Sequence, residues 1–375
     1  MKKLFVALLY ITAVLVSAVT DPVGACTGFI LKTSDGSPLH CRTLEWGAFD
    51  AKSDLVMVPR NYTFTSELEG GKKGMTWKSK YGFVAINAIQ KPIYLDGMNE
   101  AGLAMGTFYF AGFAEYQPFK AGEESSTLNS GDFVPYVLGQ FKTVKEIKAA
   151  LPKLRVVYNK DLAKDFGGTP ILLHYVVTDS LGDSIVIEYV KGKLNMYDNT
   201  IGVITNAPTY DWQLLNLRNY THLSAYAPGP GDKEIDGVNF TPFGEGNGMT
   251  GLPGDYSPPS RFVRAFFYKE TTLPAQLENV DTAINQASRI LNNFDIPKGV
   301  VREGTPDNYQ SDYTQWSVIA DIGNRRYYWW TQWNRQMRMA DLNKLNFKGG
   351  KIIAIPLDKT RTENVDNRTG DFLKK

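Results

Sequence analysis

The rhythm of hydrophobic and polar positions changes several times along the chain. Behind Lys2 and Lys3 a mostly apolar stretch covers Leu4 to Val19. From residue 27 the pattern breaks into short runs rich in β-branched and aromatic residues, bounded by Gly, Asp or Asn. Such runs predict strands at 27–32, 38–44, 55–58, 83–89, 103–110, 172–178, 184–189 and 202–205. Ser34-Asp35-Gly36 is a turn signal that joins the first two into a hairpin and carries Arg42 and Glu45 back towards Cys26. Apolar residues at helical spacing predict helices at 131–141 behind a Ser130 cap, 144–151 behind Thr143, 210–223 behind Thr209, 259–268 behind Ser257 and Pro258, and 280–292. Strands return at 314–322, 326–332, 338–341 and 351–355, and the polar stretch 358–375 reads as a frayed tail. Strands early and late with helices grouped between them predict an α+β fold of antiparallel sheets packed with helices, not a βαβ alternation. The chain has no internal repeat, no GxxxxGKS phosphate loop and no dinucleotide fingerprint.

The first 25 residues bear on the role of Cys26. A basic start, an apolar core and the small-residue ending Val23-Gly24-Ala25 predict a secretory signal, and no later stretch approaches the ~20 apolar residues that cross a bilayer. Cleavage after Ala25 makes Cys26 the first residue of an exported chain, periplasmic or secreted. Two alternatives stay open. Val16-Ser17-Ala18 is a second acceptable cleavage point, which leaves residues 19–25 as a propeptide to be removed by self-cleavage. Small residues before a cysteine also resemble a bacterial lipoprotein site, where Cys26 carries lipid and the protein binds instead of catalysing; the strand-like run after Cys26 is unlike a lipoprotein tether.

An N-terminal cysteine brings a thiol and an α-amine together on one residue. That amine titrates near ~7.7–8.0, so it can take up the thiol proton at physiological pH without a histidine. Cys26 and Cys41 are the two cysteines of the 375-residue chain. An even count in an exported protein suggests a disulfide. Strand alternation argues against it, because Cys41 and Arg42 must face opposite ways and Arg42 is wanted beside Cys26. His40, His174 and His222 have no metal-ligand spacing and read as structural, and the aromatic run at 327–333 reads as packed strand. The formal charge of +2 falls to about +1 without Lys2, Lys3 and Asp21, and the absence of a dense basic cluster argues against nucleic acid.

With these residues placed, the chain resembles the choloylglycine hydrolase family, N-terminal-nucleophile amidases that include conjugated bile salt hydrolases and penicillin V acylases. The resemblance rests on CTGFILKTSDGS, RTLEWG, DGMNEAGLAMGTFYF, ITNAPTYDWQLLNLRNY, GMTGLPGDYSPPSRFVRA and RRYYWWTQWNRQ, which recur in family order from Cys26 to about Leu357. It implies one domain over 26–357 with an αββα sandwich, two antiparallel sheets between helical layers, and often a homotetramer. It also implies roles. Cys26 is the nucleophile and its α-amine the base. Arg42 supplies positive charge beside the thiol. Glu45, where many members have aspartate, hydrogen-bonds the amine. Asn206 and the Tyr109 backbone amide form the oxyanion hole, and Arg261 supports charge in the site. The implied reaction is hydrolysis of a linear amide of an N-acyl substrate, with no metal or organic cofactor. Tyr109 stands where bile salt hydrolases usually have asparagine and several penicillin V acylases have tyrosine. The expectation therefore leans to penicillin V or related N-acyl amides, with glycine- or taurine-conjugated bile salts as the alternative.

Overall fold

The computed structural model describes residues 24–227, 233–240 and 244–373. Of the stretch 1–25 expected to be a secretory signal, residues 1–23 lie outside the described residues. Two antiparallel sheets carry the architecture. In the six-stranded sheet Val203–Ile204, Thr27–Lys32, Pro38–Glu45, Thr314–Asp321, Arg326–Thr331 and Arg338–Asp341 lie side by side in that order. The eight-stranded sheet runs Lys193–Asp198, Ser184–Val190, Leu173–Asp179, Leu103–Tyr109, Lys91–Asn99, Phe83–Ala88, Asp54–Val58 and Ile353–Pro356.

Period-two side chains explain the stacking. On the Phe83–Ala88 strand, Val84 and Ile86 enter the core shared with the six-stranded sheet, whereas Phe83 and Ala85 enter a second core. Helices Phe133–Gln140 and Val144–Ala150 cover the second core, and helices Pro258–Glu270 and Val280–Asn292 pack on the six-stranded sheet. The result is the αββα sandwich. Val280–Asn292 shows how sequence drives this: Asn279 caps it by accepting from the Thr282 amide, and Ile284, Ile290 and Leu291 share its buried face. Burying each contributes roughly 2 kcal/mol. Among the described residues no helix is long and apolar enough to cross a membrane.

Several expected boundaries move. Asn129, not Ser130, caps the helix expected at 131–141; its Oδ1 accepts from the Gly131 and Asp132 amides, and a 3-10 turn precedes the α-helix Phe133–Gln140. The helix expected at 210–223 is α-helical only over Tyr210–Asn216 and tightens to 3-10 at Leu217–Tyr220. The strand expected at 202–205 shrinks to Val203–Ile204 because Gly202 has φ 63°. The strand Lys91–Asn99 was not expected, since Pro92, Asp96, Gly97 and Asn99 read as turn residues. Its polar side chains instead find buried partners, Asn99 donating to Leu138 O and Phe141 O. The stretch 358–375 does not fray from its start: Asp358 accepts from Thr331 and Arg338, and Arg361 pairs with Asp50.

Candidate active site

The Thr27–Lys32/Pro38–Glu45 hairpin sets the site, pairing Gly28 with Arg42 and Thr27 with Thr43. Arg42 lies fully buried, and its Nη2 donates to Cys26 Sγ at 3.4 Å. Nη1 donates to Leu95 O at 2.7 Å and Nε to Thr43 O at 3.3 Å, while the guanidinium lies over the Phe108 and Trp316 rings at 4.7 and 5.0 Å. Gly28 makes this possible. A Cβ there would meet Phe108 Cζ at 2.6 Å, so the missing side chain is the space in which the ring that supports Arg42 sits. Cys41 turns the other way, its Sγ 3.6 Å from Leu39 O, and both thiols are free and buried.

Asn206 and Arg261 arrive from other segments. Asn206 Oδ1 accepts from the Cys26 amide at 2.7 Å and from Arg261 Nη2 at 2.8 Å, and its Nδ2 donates to Tyr109 O at 2.8 Å. Arg261 also donates to Cys26 O, to Thr27 Oγ1 at 2.9 Å and to Tyr256 O at 2.8 Å. Complete burial pulls its pKa down to about 10, against the opposing charge of Glu45 and Cys26, so it stays protonated at neutral pH.

With Ala25 still joined to Cys26, the Cys26 nitrogen is a peptide amide, and Glu45 has other partners. The Cys26 amide is held by Asn206, and the Glu45 carboxyl accepts from Thr314 Oγ1 at 2.7 Å and Thr43 Oγ1 at 3.0 Å. Thr314 is its register partner on the adjacent strand, which the longer glutamate side chain reaches. Burial raises the Glu45 pKa to about 8, outweighing the Arg261 charge and the two threonine hydroxyls that favour ionisation. At neutral pH this carboxyl is therefore mostly protonated.

Cys26 itself is buried. Desolvation raises its thiol pKa most strongly; Arg42 works against that, and Glu45 adds to it. Beside the thiol lies a cavity of about 50 Å³ whose walls include Trp46, Phe49, Leu95, Tyr109, Phe166 and Leu173. It is almost wholly apolar, and the Trp46 and Tyr109 rings meet edge to face at 5.1 Å. Gly24 packs on those two residues: a Cβ at Gly24 would touch Trp46 at 3.0 Å and Tyr109 Cβ at 3.1 Å. The chain ahead of Cys26 thus covers part of the cavity wall.

The other five residues singled out from the sequence, Arg42, Glu45, Tyr109, Asn206 and Arg261, meet around Cys26. What the sequence did not reveal is the support behind them. Thr314 lies 269 positions from Glu45 in the chain. The pocket walls at Phe166 and Leu173 carry no motif. Two of the three histidines have structural partners, as expected: His40 contacts Asp96, and His174 bridges Glu188 and Thr205 O, next to Asn206. His222 is exposed. Tyr327, Trp329 and Trp330 are packed strand residues.

Residues 26–358 match the family described as linear amide C–N hydrolases, choloylglycine hydrolase family. A bile salt hydrolase/transferase from Clostridium perfringens is 33% identical over 341 residues, covering 90% of this chain and 99% of that protein. A solved structure of a mutant conjugated bile acid hydrolase from the same organism superposes with a TM-score of 0.78 at 30% identity, over 91% of this chain and 99% of that one. Penicillin V acylase from Agrobacterium tumefaciens gives a TM-score of 0.70 at 26% identity, over 89% and 92%.

Proposed function

Because the chain belongs to the choloylglycine hydrolase family of linear amide C–N hydrolases, we propose that Cys26 is its nucleophile, released as an N-terminal residue when residues 1–25 are removed on export. The α-amine then takes the thiol proton, and Sγ attacks the carbonyl of an N-acyl amide. A tetrahedral intermediate forms and collapses to a thioester as the amine leaves with the proton of the α-ammonium. Water then hydrolyses the thioester. A buried thiol with a raised pKa suits this sequence, since it needs a base close by rather than resting as thiolate.

The observation that carries the reading is the convergence of Arg42, Asn206 and Arg261 on Cys26, from three separate segments, beside an apolar cavity. Arg42 offsets the cost of the thiolate. Asn206 offers its amide to the oxyanion together with the Tyr109 backbone, and Arg261 fixes both Asn206 and the Cys26 carbonyl. Loss of Gly24 and Ala25 uncovers the Trp46 and Tyr109 walls for the acyl group. Two aromatic walls suit a flat acyl group such as the phenoxyacetyl of penicillin V. The second reading, a glycine or taurine conjugate of a bile acid, is favoured by the identity to the Clostridium perfringens enzyme. Assembly as a homotetramer is proposed by resemblance and is tested by sedimentation of the mature protein.

The test is parallel hydrolysis of penicillin V, glycocholate, taurocholate and a long-chain acyl homoserine lactone by protein whose N-terminus is fixed by mass spectrometry. Cys26 at the N-terminus with faster turnover of penicillin V or the lactone is expected. Preference for a bile conjugate selects the second reading. A diacylglyceryl adduct on Cys26 overturns the enzymatic reading in favour of a lipoprotein.

A further inference from the structure

Arg42 is anchored from behind by a buried group that none of the proposed reaction steps uses. Asp96 lies on the Lys91–Asn99 strand of the opposite sheet and is fully buried. Its Oδ1 accepts from the Tyr327 hydroxyl at 2.6 Å; its Oδ2 lies 3.1 Å from His40 Nε2 and 3.8 Å from Arg42 Nη1. Its neighbour Leu95 gives its carbonyl to the same Nη1. The pocket for the carboxylate is built: Gly106 is its register partner, and a Cβ there would stand 2.7 Å from Asp96 Oδ2 and 3.2 Å from His40 Nε2. Tyr327 and His40 come from the two strands that flank Thr314–Asp321, so side chains of both sheets meet at this carboxylate.

A lone buried carboxylate is costly, and so is a lone buried guanidinium; each offsets the other here. Among the described residues, Asp96 is the carboxylate in ion-pair range of Arg42. The remaining neighbours of the guanidinium are carbonyls, two aromatic rings and the Cys26 sulfur. With Nη1 and Nε taken, Nη2 has one orientation left, towards Sγ.

We infer that Asp96 is a positioning residue for the reaction: held by Tyr327 and His40, it fixes the Arg42 guanidinium and sets how much of its positive charge the Cys26 thiol feels. This rests on Cys26 being the nucleophile. The charged groups facing the thiol are Arg42, Glu45 and Arg261, and the charged and titratable groups facing Asp96 are Arg42, His40, Tyr327 and the Cys41 thiol.

The experiment measures alkylation of the mature enzyme by iodoacetamide against pH, with the label located by peptide mapping to separate Cys26 from Cys41. Asp96→Asn removes the counter-charge. With Thr43 O and Leu95 O still holding the guanidinium, the Cys26 midpoint should fall by about one pH unit as Arg42 acts unopposed. A midpoint at or above the wild-type position overturns the inference, because a merely structural carboxylate would change the yield of folded protein and leave the midpoint in place. Should Asp96→Asn fail to fold, Tyr327→Phe decides: it deletes one hydroxyl and should lower kcat roughly ten-fold with KM unchanged, and an unchanged kcat overturns the inference. Failure of the underlying reading looks different. In that case, wild-type enzyme labelled at Cys26 would keep its activity.

Discussion

Replacing Glu45 by glutamine tests the electrostatics of the site through stability alone. Glu45 has a folded pKa of about 8 against an ordinary value of 4.5. Below pH 4.5 both folded and unfolded chains hold the proton. Between 4.5 and 8 the folded chain keeps it and the unfolded chain loses it, so folding takes up a proton and stability falls as pH rises. Above 8 the loss is complete, about 5 kcal/mol for this gap. Glutamine has nearly the same shape and no titration. Its Oε1 can accept from Thr314 and its Nε2 can donate to the Thr43 hydroxyl, so the variant keeps its hydrogen bonds at every pH. The assay is thermal unfolding of wild type and Glu45→Gln between pH 4 and 9, read as the difference in Tm so that other titrating groups, Asp312 with its pKa near 7 among them, cancel. At about 1.4 °C per kcal/mol for a chain of this size, the variant should gain about 7 °C on wild type from the acid to the alkaline end. A difference that stays constant across the range would refute the buried, protonated carboxyl.

Packing gives two further expected outcomes. Gly28→Ala drives a Cβ into Phe108 and Ile204 and should cost ~1–3 kcal/mol of stability by denaturant unfolding; an unchanged midpoint would mean that Phe108 is not held against this strand. Tyr109→Leu removes one aromatic wall of the cavity facing Trp46. It should move relative kcat/KM from phenoxyacetyl towards bulkier acyl groups by about ten-fold or more, and an unmoved ratio would take acyl selection away from this residue.

The hairpin and the strand–helix–strand grouping are legible because each is written locally, whereas the six site residues stand out only through the order of the motifs that resemble the family. A turn signal and a period of two or 3.6 need no knowledge of the rest of the chain. The helix 280–292 is legible to its ends because its apolar spacing is regular, and the Asn279 cap fixes the same start. Strand Lys91–Asn99 was missed for the opposite reason: its proline, glycine and buried polar residues look like a turn until Tyr327, His40 and Leu138 supply partners from far along the chain. The hairpin strands Thr63–Leu68 and Lys72–Lys78 were also overlooked, although the first alternates exposed and buried residues in a readable pattern.

The groups available to the site, a cysteine, two arginines, a carboxyl and an asparagine, and the elements that carry them are therefore written in the sequence. The tertiary structure decided what each group does to the others. Only sheet register set Thr314 against Glu45, making that carboxyl a buried, mostly protonated group, and gave the Cys26 amide to Asn206. Only the stacking of two sheets brought Asp96 behind Arg42. Protonation and orientation depend on desolvation and on distances of a few ångströms between segments far apart in the chain, and neither quantity exists until the sheets have closed on each other.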